Sequence, residues 1–219
     1  MPYLRPYIAL SVTILIALAS TYTLFPESRE QLYEEDQLIE NVTVAIYLSV
    51  VIGAAVGLVF VRGNANRSVM LLFLGLGILT ALEETSYGER FFGFTPPEIL
   101  DYKMDTLHDF FFLFFKVIKD LAEAYGFFVY AVFAVFVGLA ALFLYRKREP
   151  ILKVAVGLLR RPPLFYIGLF IALGLTALMF DLRILKLDVL QAVEEGLEMS
   201  AALALAFGCF TVFKFQTND

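Results

Sequence analysis

Tryptophan is absent from this 219-residue chain, and cysteine and histidine occur once each. With Cys209 alone, no intrachain disulfide can form. Around the lone His108 there is neither a Glu-x-x-His nor a His-Glu-x-x-His spacing, so no recognised metal motif is matched. Charge is scarce as well. Charged residues make up 18%, the net charge is −5, and no basic patch interleaved with aromatics occurs, which excludes a nucleic-acid partner.

What fills the chain instead is apolar. Hydrophobic residues reach 60% and the mean hydropathy is +0.77, against roughly 45–50% apolar in soluble domains. The apolar residues come in long runs, which is the signature of a membrane protein. Six spans emerge, near 7–25, 42–61, 68–87, 124–145, 163–180 and 190–213, each close to the ~20 residues a bilayer core requires. Arg5 followed by Tyr7 to Ser20, with Ala17-Leu18-Ala19, has the form of a signal peptide. Because Met1 is retained, we read it as an uncleaved first helix. The expected fold is all-α: a single transmembrane domain over 1–219, a bundle of about six helices with interfacial helices added. One of these lies in the long connection 88–123. There "DTLHDFFFLFFKVIKDLAE" is apolar but broken by Lys116 and Lys119, as in an interfacial or re-entrant helix. A second, "ILKVAVGLLRR" at 151–161, is expected on the opposite surface.

Basic residues set the orientation. With the N-terminus in the cytoplasm, Arg5, Arg62, Arg67, Arg146, Lys147, Arg148, Lys153, Arg160, Arg161 and Lys214 fall inside, ten of the 17 Lys and Arg. Of 22 acids only Glu149 and Asp219 do. Both termini are therefore expected in the cytoplasm and the acids outside.

Glutamates recur at 34–40, 83–89 and 194–198, and their depth is informative. Measured from the basic residue closing each span, Glu84 lies 17 residues from Arg67 and Glu198 lies 16 from Lys214, hence ~25 and ~24 Å up their helices. Both sit just under the outer surface of a ~30 Å core. Glu40, 22 residues from Arg62, reaches ~33 Å, the water boundary. Glu194, Glu195 and Glu198 stack within one turn, and Glu83 and Glu84 point ~100° apart. Carboxylates gathered in low dielectric must take up a proton, share a cation or face a polar pocket. The candidate cation or proton site is Glu84 and Glu198, with Glu195, Glu40 and His108 around them. Imidazole with carboxylates suits Zn, Mn or Fe, and carboxylates alone suit Ca or Mg, so a divalent cation is the one cofactor to consider. On a helix, Asp105 and His108 would share a face.

Plainer readings stand beside these. Acids at helix ends are commonly solvated among headgroups, as expected for Glu34, Glu35 and Asp36. The "GAAVG" of 53–57 has the small-xxx-small form for close helix packing, so Gly53 and Gly57 mark a helix contact. The 23 Phe are lipid-facing and packing bulk.

"EETSYGERFFGFTPPE" followed by "TLHD" resembles a motif of uncharacterised bacterial multi-pass membrane proteins. That motif runs Glu-Glu-Ile-Ser-Trp-Gly-Gln-Arg-x-Phe-Gly, then Thr-Pro-Glu, then Asn-Leu-His-Asn. Glu83, Glu84, Ser86, Gly88, Arg90, Phe92, Gly93, Pro97, Glu98, Leu107 and His108 match. Tyr87, Glu89, Thr106 and Asp109 depart from it, and the likeness covers about thirty residues. It implies a bacterial inner-membrane protein with an outer-face site and supplies no reaction.

Three functions are open on this sequence. The first is a cation- or proton-binding membrane protein, either a binding or accessory subunit or a transporter. The second is an enzyme on lipid or lipid-linked substrates, with Glu84 or Glu198 as general base and Arg90 holding a phosphate. Hydrolases of the ceramidase type, which Glu83-x-x-Ser86 resembles, need several histidines and are set aside. The third is a structural subunit packing Phe-rich faces on other membrane subunits. In each case the lipid bilayer is a partner.

Overall fold

The computed structural model describes residues 1, 3–29, 38–95, 97–100, 102–104, 109–181 and 189–215. Helix dominates them, because in hydrocarbon each backbone N–H and C=O must be paired within its own segment. In chain order the helices are α1 (Leu4–Leu24), α2 (Leu38–Phe60), α3 (Asn64–Glu83), α4 (Glu89–Phe92), α5 (Asp109–Tyr125), α6 (Phe128–Arg146), α7 (Arg148–Leu159), α8 (Pro162–Asp181) and α9 (Val189–Phe215). Short 3-10 turns occur at Pro26–Ser28 and Ser86–Gly88. A minimal antiparallel hairpin pairs Glu98 with Lys103 and Ile99 with Tyr102. Among the described residues, six helices are long and apolar enough to cross a membrane: α1, α2, α3, α6, and most of α8 and α9. The chain is an all-α, multi-pass membrane protein.

Two spans end or begin four residues short of expectation, each for a backbone reason. The third span, expected to reach 87, ends at Glu83. Ser86, Tyr87 and Gly88 have φ of 48°, 54° and 91°, three consecutive left-handed residues that a right-handed helix cannot contain. The fourth span, expected from 124, begins at Phe128. Gly126, at φ 74°, closes α5 by donating its N–H to Ala122 O at 2.8 Å.

The chain divides into two compact units, Met1–Glu84 with Leu159–Asp219, and Thr85–Leu158. In the first, α9 is central: it packs on α1, α2, α8 and α3, and 67% of its apolar window is buried, against at most 33% in any other candidate span. Its small residues Ser200, Ala201, Ala202, Ala204 and Gly208 let neighbouring backbones approach. At Gly208 two helices crowd in at once, since a Cβ built there would stand 2.8 Å from both Phe73 Cζ of α3 and Tyr166 Cβ of α8. The Tyr7 hydroxyl of α1 donates to Ser200 O at 3.1 Å, and the Tyr7, Tyr166 and Phe207 rings cluster beside it. On α2, buried Thr43, Tyr47, Val50, Ala54 and Gly57 alternate steps of four and three, a 3.5-residue seam. The "GAAVG" contact is real and serves two helices. A Cβ on Gly53 would meet Cys209 Sγ of α9 at 3.6 Å, and one on Gly57 would meet Met70 Cε of α3 at 2.7 Å.

In the second unit, α5 is the amphipathic helix expected within 88–123. Lys116, Lys119, Asp120 and Glu123 share one arc, with Lys119 and Glu123 3.8 Å apart. Phe114 packs on Phe133 of α6 at 6.0 Å between ring centroids, and Lys116 Nζ donates to Leu100 O beside the hairpin.

Candidate functional site

Three helices of the first unit bring their acids to one end. α2 starts there and carries Glu40 in its first turn. Antiparallel to it, α3 arrives with Glu83 as its last residue and Glu84 as its C-cap, the Glu84 N–H donating to Thr80 O at 3.0 Å. The third helix, α9, runs through Glu194, Glu195 and Glu198 within its first turns. All six glutamates are half-buried. The packing beneath them is fixed by Tyr22 of α1, Ile39 of α2, and Ala192 and Met199 of α9, which form one apolar cluster. At the same end of α1, Arg29 stacks its guanidinium on Tyr22 at 4.3 Å and donates from Nε to Tyr22 O at 2.9 Å.

The acids act on each other across helices. The strongest electrostatic influences on Glu195 come from Glu84, then Glu194, then Glu40, so all three helices contribute. Tyr47 lies below, two turns along α2 from Glu40, and it feels Glu84, Glu198 and Glu83 in that order. Glu84 therefore joins the two groups.

Of the residues expected at the site, Glu40, Glu84, Glu195 and Glu198 are brought together. His108, with Asp105, lies outside the described residues. Arg90 belongs to the Thr85–Leu158 unit, in the short helix α4, and its side chain is outside the described set. Among the described residues no three His, Cys, Asp or Glu side chains converge closely enough to hold a metal ion. Sequence reasoning passed over Tyr47. Its signal was available: a tyrosine in an apolar span, seven residues after Glu40 and hence on the same face. Tyr47 is 4% exposed and its ring meets Phe170 of α8 edge-on at 6.5 Å.

Comparison with known protein families, with curated proteins and with solved structures gives no match for this chain. What the site can do chemically rests on its own residues. Six carboxyl groups from three helices, gathered at one end of an apolar bundle, offer hydrogen-bond acceptors in quantity.

Proposed function

We propose that this is a bacterial inner-membrane protein whose acidic pocket, at the non-cytoplasmic end of the bundle, binds a cation or a proton, as a binding or accessory subunit or as a transporter. The observation that carries the reading is the company of Glu195: its strongest electrostatic neighbours are acids of α2, α3 and α9. Like charges so placed repel, and a bound cation or a shared proton would lower that repulsion.

The orientation is supported by the sequence, in which ten basic residues cluster in the loops expected on the cytoplasmic side. A reporter fused after Arg148 should read cytoplasmic and one after Pro97 extracytoplasmic; the reverse pattern would put the acids on the wrong side.

The site itself is tested by thermal stability of the purified protein against pH and added cations, for wild type, Glu84→Gln, Glu198→Gln and the double variant. A shared site predicts that either single change removes the same dependence and that the double variant adds little. Independent shifts, with the dependence intact in each single variant, would mean separate interfacial charges.

A further inference from the structure

The segment around α7 stands apart from the rest of the chain in charge. From Arg146 to Arg161 there are six basic residues and one acid, Glu149, in a protein whose net charge is −5. All seven are exposed. Arg148 stacks on the Tyr145 ring at 4.2 Å. The side chains of Arg146, Lys147, Lys153, Arg160 and Arg161 make no ion pair among the described residues.

The helix is also amphipathic. At ~100° per residue, Ile151, Leu152, Ala155, Leu158 and Leu159 fall within an arc of ~120°, with Glu149, Lys153 and Gly157 on the opposite side. Ile151, Leu152 and Leu158 of that arc are exposed, so no described part of the protein covers them. The last residue is anchored: Leu159 Cδ2 lies 2.7 Å from where a Cβ on Gly168 of α8 would stand. The 12 residues of α7 rise ~18 Å, too little to cross a ~30 Å core. A helix of that length between two candidate spans, α6 and α8, belongs at a membrane surface.

The orientation rule accounts for basic residues in a loop, but it asks for no apolar face. A lipid leaflet answers both features. Acyl chains take the apolar arc, and phosphates at its edge meet the basic side chains, which reach them by snorkelling. Arg160 and Arg161 can each hold a phosphate through two parallel N–H donors. A zwitterionic leaflet offers no net counter-charge to this segment, whereas an anionic one does.

We propose that α7 is a docking site for anionic phospholipid: Ile151, Leu152 and Leu158 enter the acyl layer, and Lys153, Arg160 and Arg161 bind the phosphates of acidic headgroups. The docking site depends on neither the acidic pocket nor the sidedness proposed above.

The chain has no tryptophan, so Leu152→Trp, at a side chain 58% exposed, makes α7 the only source of tryptophan emission. The full-length variant is reconstituted in vesicles of equal parts phosphatidylglycerol and phosphatidylcholine, with one lipid or the other brominated to quench neighbouring tryptophan. Phosphatidylglycerol should be preferred roughly fivefold or more, the scale of one basic residue at an anionic surface. Adding Lys153→Gln, Arg160→Gln and Arg161→Gln together should bring the preference close to equality, and raising salt should weaken it. Phe136→Trp is the control. Its site is 70% exposed, ten residues up α6 from Arg146 and hence ~15 Å into the span, and it should show no preference. Equal quenching of Leu152→Trp by both lipids, or a preference that survives the triple substitution, would overturn the anionic-lipid site. So would the absence of quenching by either lipid, which would mean that another protein surface covers α7. If Leu152→Trp does not fold, Val154→Trp, 63% exposed and beside the same arc, carries the same test.

Discussion

Gly208→Leu should cost about 3 kcal/mol, the upper end of the usual penalty for forcing atoms into a packed core. At Gly208 three helices meet: the added Cβ alone would stand 2.8 Å from Phe73 Cζ and 2.8 Å from Tyr166 Cβ. Phe73 and Tyr166 are both fully buried. The phenylalanine ring tip could swing, but a Cβ is tied to its backbone, so α8 and α9 would have to separate. Parting them disturbs the longest contact in the unit and the Tyr7 to Ser200 hydrogen bond beside it. Gly138→Leu is the matched control, on α6, where an added Cβ meets nothing within 4 Å. Gly53→Leu should fall between the two, since its nearest neighbour, Cys209 Sγ, is at an ordinary 3.6 Å. Thermal stability in detergent reads all three. A Gly208→Leu protein as stable as Gly138→Leu would show that α9 is not the packed centre of the bundle.

The spans are legible in the sequence because hydrocarbon thickness imposes a run length, and no tertiary contact is needed to see it. Their ends are less legible. Tyr125 and Phe127 flank Gly126 with apolar bulk that reads as continuing helix, and only the backbone shows the left-handed break. The hairpin at 98–103 has two-residue strands, too short to leave an alternating pattern. Glu84, Glu195 and Glu198 can be foreseen as neighbours because helical rise, counted from the basic residues, gives depth directly. Tyr47 can be placed on the face of Glu40 by its spacing, but its approach to the acids of α3 and α9 cannot be read there. The approach of α2, α3 and α9 is likewise a tertiary matter, set by Gly57, Gly208 and the small residues of α9.

Glu195→Lys asks most directly whether the acids of three helices form one cation-accepting pocket. It exchanges a carboxylate surrounded by Glu84, Glu194 and Glu40 for a tethered ammonium in the same place. If the pocket exists, the lysine fills it from within. Stability should then rise by on the order of 2 kcal/mol, the scale of a hydrogen bond to a charged group, because repulsion becomes attraction. The response to external cations should vanish, since the site is already occupied. The measurement is the Tm of wild type and Glu195→Lys across a cation titration at fixed ionic strength and pH. A higher baseline Tm with a flat titration is the predicted result. A lower Tm with the wild-type cation response intact would mean that Glu195 is a separately solvated charge and that no shared pocket exists.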